Sequence, residues 1–507
     1  MDGIVSLIQH LFMTLIDWQI VIAVLLSTSL GIVIGALPGL TATMGIALLT
    51  GVTYGMATKL AVPVLMGVYV GAIYGGSISA VLINIPGTGS AAATALDGHP
   101  LAARGEAWEA LGTTRFASFI GTIFGILCLA FFAPMISKLA EKSFASPEFF
   151  MLALFGVLIC GSLCSLDKPI KGWIAGFIGL MLSFVGMEEI HGYQRFVFGN
   201  SNLIGGISYV PAMIGLFSVP QVLNALKNDD TKAKVEKLEK RSGVWGNIFS
   251  NIGKNIWNIL RSGLLGVGIG SIPGAGEDIA AWMAYDRAKS ASKEPEKFGH
   301  GSYEGIIAAE TGNNACIGGA IIPLLTLAVP GSPPAAVLLG ALELHGIRCG
   351  PMLSFEQPDY VFEMSAVLIV CAIALMICGM ILSRVMVSVL RVDQKKLMPI
   401  VIALCVIGSY AISLNKFDLT IMFVFGLIGY VLDAMAFPPA ALVLGIILGK
   451  TMDANFRRAL LGYSWTCFFT RPICVIFVIL IVVSLCSKMP WWKKMMGAIK
   501  GVFKKKA

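Results

Sequence analysis

Apolar runs of about twenty residues recur along almost the whole of this 507-residue chain. That is the length at which an α-helix crosses the ~30 Å hydrocarbon core of a bilayer. Inside that core every backbone polar group must be satisfied locally, which leaves helices as the spanning element for runs of this kind. Only 13% of residues are charged, against about 25% in a soluble domain. The expected fold is an all-α polytopic membrane protein with about 12 transmembrane helices, at 18–37, 60–82, 112–135, 148–166, 170–187, 203–222, 258–272, 305–326, 361–390, 398–414, 417–435 and 465–487. Shorter apolar pieces at 42–57, 88–96, 277–285 and 332–345 cannot cross alone and predict re-entrant or broken helices. The segments 97–111, 226–257, 286–304, 345–359 and the tail from 488 read as soluble. Asp2 and the lack of early basic residues make a poor signal peptide, so the first apolar stretch is expected to stay with the protein.

The chain also repeats itself. Gly35-Ala-Leu-Pro-Gly-Leu-Thr-Ala-Thr-Met-Gly45 is echoed by Gly270-Ser-Ile-Pro-Gly-Ala-Gly-Glu-Asp-Ile-Ala280. Tyr74-Gly-Gly-Ser-Ile-Ser-Ala-Val-Leu-Ile-Asn-Ile-Pro-Gly87 is echoed by Ile317-Gly-Gly-Ala-Ile-Ile-Pro-Leu-Leu-Thr-Leu-Ala-Val-Pro-Gly331. Pro38 to Pro273 is an offset of 235 and Pro86 to Pro330 one of 244, so a nine-residue insertion in the second copy relates them. Paired Pro-Gly interruptions in corresponding positions of two halves point to a transporter's binding site. Five expected spans, an odd number, separate the first site from the second half, which predicts inverted repeats.

The net charge of +8 is concentrated in two places. Lys227–Arg261 carries eight basic and four acidic residues, and Lys488–Ala507 seven basic and none acidic. Both are expected to be cytoplasmic by the positive-inside rule, with contact to anionic lipid as a further reading of the tail. The expected organisation is a first membrane half at 1–225, a basic linker at 226–257, a second half at 258–487 and a basic tail at 488–507. Val244–Trp257 reads either as an amphipathic helix on the membrane surface or as the hydrated approach to the next span. The 11 cysteines, of which Cys160 and Cys164 form the one close pair, and the five scattered histidines show no zinc or disulfide spacing.

Broken helices free amides, whose positive end suits a carboxylate, and carbonyls, which suit a cation such as sodium. Carboxylate groups are therefore expected at Gly39, Leu40, Thr41, Thr43, Gly87, Thr88, Gly89 and Ser90, with matching contributions from Gly274, Ala275, Gly276, Gly331 and Ser332. Sodium is expected near Asn84, Asn313, Asn314 and Thr326. The competing reading of isolated Ser and Thr, Thr94 among them, is interhelical packing. Glu277 and Asp278 follow Pro273 where a helix starts, so dipole stabilisation competes with a binding role. Glu310 reads equally as an ion or proton ligand or as a helix cap, and Asp433 and Arg384 as span-end charges that snorkel or pair.

At these motifs the chain resembles the large membrane subunit of the tripartite tricarboxylate transporter family over nearly its full length. The strongest stretches are Gly35–Ala47, Tyr69–Gly112, Pro273–Tyr285, Phe298–Gly319 and Leu325–Gly346. They include Ala93-Thr-Ala-Leu-Asp-Gly-His-Pro-Leu-Ala102, Phe298-Gly-His-Gly-Ser-Tyr-Glu-Gly305 and Glu310-Thr-Gly-Asn-Asn-Ala315. The resemblance implies a secondary transporter of the bacterial cytoplasmic membrane. It implies two partners, a small four-span membrane subunit and a periplasmic solute-binding protein that delivers citrate or another carboxylate. It implies a driving ion gradient, commonly sodium, and no cofactor. Glu277-Asp278, Gly89, Val219-Pro-Gln221 and Lys450-Thr-Met-Asp453 depart from the family pattern. The two acids would repel a trivalent anion unless a cation sits between.

The residues themselves agree that ATP is not the energy source, since no Gly-x-x-x-x-Gly-Lys-Ser/Thr loop is present. No Gly-x-Ser-x-Gly or His-Glu-x-x-His motif points to an enzyme, and the charge pattern is topological rather than a nucleic-acid footprint. An anion channel is the alternative function. It would need a continuous polar lining, whereas two pseudo-symmetric breaks in one chain fit alternating access.

Overall fold

The structure, a computed structural model, describes residues 2–163, 169–188, 190–227, 243–390 and 394–487. Cys164, most of the basic linker (228–242) and the tail from 488 lie outside the described residues, as does the side chain of Cys160. The described chain is almost wholly helical, apart from a short antiparallel hairpin pairing Gly186–Met187 with Gln194–Arg195. In order, the helices are α1 (Asp2–Ile16), α2 (Trp18–Ala36), α3 (Ala42–Thr53), α4 (Thr58–Ile83), α5 (Ala92–Leu101), α6 (Ala107–Ser143), α7 (Ser146–Leu163), α8 (Pro169–Ser183), α9 (Tyr209–Lys227), α10 (Val244–Lys254) and α11 (Ile256–Gly270). They continue with α12 (Gly276–Ala291), α13 (Tyr303–Leu327), α14 (Pro333–Leu344), α15 (Leu353–Glu356), α16 (Tyr360–Val389), α17 (Gln394–Ser413), α18 (Lys416–Ala434), α19 (Pro439–Gly462), α20 (Cys467–Thr470) and α21 (Pro472–Ser487).

The protein is an all-α polytopic membrane protein. Seven described helical segments are long and apolar enough to cross a bilayer, and shorter apolar helices such as α3 and α14 accompany them. At 12 residues each, those two are about 18 Å long and fall well short of a crossing. The 25-residue α13 has the length to cross but carries Glu310, Thr311, Asn313 and Asn314 in its middle, all fully buried. The run expected at 465–487 is split by Arg471-Pro472 into α20 and α21, and α19 was hidden from hydropathy by Lys450, Asp453, Arg457 and Arg458. The segment 97–111 is not an exposed loop: it is helical apart from Gly105, and Asp97, Leu101 and Leu111 are buried. Likewise, α12 carries the expected 277–285 piece on to Ala291.

Two compact units emerge: Met1–Ala140 with Ser208–Val431, and Glu141–Ile207 with Leu432–Ala507. Both sequence repeats lie in the first unit. There α2 packs on α4, and in the second repeat α11 packs on α13. Glycine makes both pairings close: a Cβ on Gly31 would sit 2.8 Å from the Val68 Cα, and one on Gly319 2.8 Å from the Val267 Cα. Such small-residue contacts let backbones approach where lipid supplies no hydrophobic drive. Val244–Trp257 is divided between α10, whose Val244 and Ile248 pack on Trp108 while Phe249 stays exposed, and the start of α11. The second unit packs α7 and α8 against α19, and α21 against α7. Its polar tie is Glu148, buried to 1% and hydrogen-bonded by Arg471.

Candidate functional site

The four chain breaks are related in geometry as well as in sequence. Gly39 and its equivalent Gly274 adopt φ of +87° and +74°, the left-handed region that glycine enters without a Cβ penalty. Asn84 and its equivalent Ala328 end α4 and α13 in the same left-handed conformation, φ +56° and +55°. The Gly87 amide then bonds back to the Gly76 carbonyl at 3.3 Å, and the Gly331 amide to the Ala320 carbonyl at 3.4 Å. Pro86 and Pro330 precede these glycines and cannot extend the helices.

The re-entrant pieces meet crosswise. The helix after the first break, α3, packs on α14 after the fourth; α5 and the 3₁₀ turn Gly89–Ala91 after the second pack on α12 after the third. Gly276 N–H donates to the Gly331 carbonyl at 3.2 Å, tying the third break to the fourth. Tyr69 on α4 brings in the first repeat: its hydroxyl lies 2.9 Å from Ser332 Oγ and donates to the Glu277 carboxylate. Asp278 lies against Gly89, where a Cβ would come within 2.8 Å of the Asp278 Cγ. A Cβ on Gly39 would meet Gln221 Oε1 at 3.7 Å. Gly39, Asn84, Gly89 and Asp278 keep solvent access in a neighbourhood where Thr43, Gly87, Ser90, Gly276 and Ser332 are buried.

The amides of the breaks divide into two groups. Those of Leu40, Gly87, Ala275, Gly276 and Gly331 are occupied by backbone carbonyls. The hydroxyls of Thr41 and Ser332 cap α3 and α14, accepting from Met44 and Ala335. Among the described residues no hydrogen bond reaches the amides of Ala42, Thr43, Thr88, Gly89 and Ser90. The amides of Asp278 and Ser332 are likewise without a hydrogen bond among the described residues, so each repeat keeps some open amide ends. In the second repeat, the start of α12 also carries the acids Glu277 and Asp278.

A second polar centre lies on α13. Glu310 is wholly buried and accepts hydrogen bonds from Ser77 Oγ (2.5 Å), Ser118 Oγ (2.7 Å) and the Thr94 hydroxyl. Asn314 Nδ2 bonds to the Glu310 carbonyl (3.0 Å) and Asn313 Oδ1 (2.5 Å), with Thr122 Oγ1 3.4 Å from Asn314 Oδ1. Asn313 and Asn314 thus gather beside Glu310. Thr326 turns its hydroxyl onto the Ile322 carbonyl of its own helix, and Asn84 shares no hydrogen bond with that cluster.

Asp97, on α5, anchors the loop before α13. Its Oδ1 accepts the amides of Gly299 (2.8 Å), Gly301 (2.9 Å) and Ser302 (2.9 Å), and its Oδ2 accepts the Tyr285 hydroxyl (2.9 Å). Sequence reasoning missed Tyr69, Ser77, Asp97, Ser118 and Gln221. The visible trace of two of them was hydroxyls inside apolar runs: Ser118 with Thr122 one turn on, and Ser77 in the glycine-rich end of α4.

A family model described as the tripartite tricarboxylate transporter TctA family matches residues 21–444. An uncharacterized 52.8 kDa protein in the TAR-I ttuC' 3'region of Agrobacterium vitis is 35% identical over 432 residues, covering 85% of each chain. An uncharacterized protein in the TAR-II ttuC' 3'region of the same organism is 36% identical over 207 residues, 40% of this chain and 86% of its own length. No solved structure matches the chain.

Proposed function

The chain belongs to the tripartite tricarboxylate transporter TctA family, and from that premise we propose that it imports citrate or a related tri- or dicarboxylate across a bacterial inner membrane. In this reading a cation gradient, sodium by the family resemblance, drives uptake. A periplasmic solute-binding protein delivers the substrate, and a small four-span membrane subunit completes the assembly. The observation that carries the reading is the crossing of four helix breaks, one pair of which presents unbonded amides at Ala42–Thr43 and Thr88–Ser90. Amides at helix starts carry partial positive charge and bind carboxylates without a fixed cation. Many neutral contacts also release their ligand more readily than charge-assisted ones, which are about twice as strong. Asp278 beside Gly89 puts a negative charge next to that cradle. We assign the coupling cation to the space between Asp278 and the bound carboxylate, with the exposed side chain of Asn84 as a further ligand.

The test is uptake of labelled citrate into proteoliposomes holding the chain with its small subunit and binding protein. Saturable accumulation that collapses when the cation gradient is dissipated supports the reading. Uptake that rises linearly with concentration and ignores the gradient would make the chain a pore.

A further inference from the structure

Two buried carboxylates in the first unit are held in different ways. Asp97 Oδ1 faces three backbone N–H groups. An N–H only donates, so Oδ1 is fixed there as an acceptor, while Oδ2 takes the Tyr285 hydroxyl. Glu310 faces three hydroxyls, Ser77, Thr94 and Ser118. A hydroxyl both donates and accepts, so this cage can hold a carboxylate or, after a hydroxyl rotation, a carboxylic acid. Beside the cage, one turn on along α13, the fully buried Asn313 turns its side-chain amide toward the same carboxylate.

From this contrast we infer that Glu310 carries a proton through the transport cycle, alongside the coupling cation. The inference rests on the transport reading above. On loading, a proton from water adds to Glu310 Oε2, and Ser118 Oγ turns from donor to acceptor. On the other side of the membrane the same O–H bond breaks and the proton leaves to water. Glu310 is 0% exposed, so in this conformation it cannot exchange with solvent. Its protonation must wait on a change of state, which is the property of a coupling site.

The surrounding charges leave both forms accessible. From α4 the facing group is Tyr74, and from α5 Asp97, committed to its loop amides. From α6 it is Arg115, one turn before Ser118, whose guanidinium lies over Trp245 at 6.0 Å. Arg261 on α11 bonds Asn258 at 2.9 Å, and on α12 Tyr285 bonds Asp97 while Glu277 bonds Tyr69 and Asp278 lies at Gly89. The remaining charges on elements packed against α13 are Lys59 on α4, Glu109, Lys138, Glu141 and Lys142 on α6, Lys254 on α10, Asp286, Arg287 and Lys289 on α12, Glu343 on α14 and Glu356 on α15. Among the described residues no cation lies within ion-pair distance of Glu310 to pin it in the charged form.

The experiment uses the full assembly in proteoliposomes with sodium equal on both sides. Citrate, isocitrate, malate and succinate are each tried in counterflow, and the best accumulated is carried forward. A one-unit alkaline-inside gradient should raise its accumulation up to about tenfold for one proton, since one pH unit is a tenfold ratio. Glu310→Gln, which mimics the acid, should keep counterflow and lose that stimulation. Should the variant fail to fold, an entrapped pH dye in wild-type liposomes decides: carboxylate entry should acidify the lumen. Unchanged stimulation in the variant, or entry without acidification, overturns the proton and leaves the transport reading standing. Absence of counterflow with all four acids overturns the transport reading and the proton with it.

Discussion

Replacing Asp97 tests whether the clamp on the loop before α13 is what joins the two repeats there. One oxygen of Asp97 accepts three backbone amides at 2.8–2.9 Å. Hydrogen bonds to a charged group contribute about 1.5–3 kcal/mol each and neutral ones about 0.5–1.5. Asp97→Asn keeps an oxygen acceptor but removes its charge, a loss of about 1 kcal/mol per bond and about 3 kcal/mol for the three. Asp97→Ala removes the acceptor and strands two or three amides, at about 1–3 kcal/mol each. The assay is hydrogen exchange by mass spectrometry on the peptide covering 298–303. If local opening governs exchange, 3 kcal/mol corresponds to about a hundredfold faster exchange at Gly299, Gly301 and Ser302 in Asp97→Asn, and more in Asp97→Ala. Exchange at those amides within threefold of wild type in both variants would refute the argument.

Gly270→Ala and Gly268→Ala, two residues apart on α11, should differ in sign. A Cβ at 270 would meet the Cys316 carbonyl oxygen at 2.5 Å, while one at 268 meets nothing within 4 Å. The first should lower thermal stability by about 1–3 kcal/mol or more, and the second raise it by up to about 1 kcal/mol; equal melting temperatures would contradict the close α11–α13 packing. Asp278→Asn should tighten uptake of trivalent citrate about fivefold, the effect of removing about 1 kcal/mol of like-charge repulsion, and weaken its cation dependence; an unchanged KM and cation dependence would remove Asp278 from the site. In the second unit, Glu148→Ala should cost about 1–3 kcal/mol by removing the acceptor shared by Arg471 and the Ala145 amide; a melting temperature equal to wild type would show that water replaces the pair. Single cysteines placed at 235 and 500 should label only from the cytoplasmic side, and labelling from the periplasm would reverse the charge-based topology.

Hydropathy and the Pro-Gly repeat made the fold class and the four breaks legible, because both are properties of short stretches. Asn84 and Ala328, one polar and one apolar, take the same left-handed turn. The shared geometry comes from the following Pro-Gly rather than from their own side chains. What stayed hidden was set by contacts between distant segments. The segment 97–111 read as soluble because Asp97, Arg104, Glu106 and Glu109 lower its hydropathy. Yet Asp97 is buried, since its partners lie about 200 positions on in the Gly-rich 298–302 loop. The amides assigned to the second repeat were counted as open by analogy with the first. Gly276 and Gly331 instead bond to backbone carbonyls, which only the folded arrangement reveals.

The same asymmetry bears on how a duplicated scaffold couples an anion to cations. The two repeats share backbone geometry but not chemistry. In its side chains the first supplies donors: the hydroxyls of Tyr69, Ser77 and Thr94. The second supplies acceptors: Glu277, Asp278 and Glu310. Each second-repeat carboxylate meets a first-repeat element, Glu277 at Tyr69, Asp278 at Gly89 and Glu310 at Ser77 and Thr94. With the site empty, these contacts draw the repeats together. A carboxylate substrate competes for the donors at the breaks, and it frees Glu277 and Asp278, which then need positive charge, while Glu310 keeps its own hydroxyl cage. Anion and cation binding are in that case linked through the same contacts, and by reciprocity each raises the affinity for the other. Coupling in this chain would then follow from two copies of one break that diverged in charge.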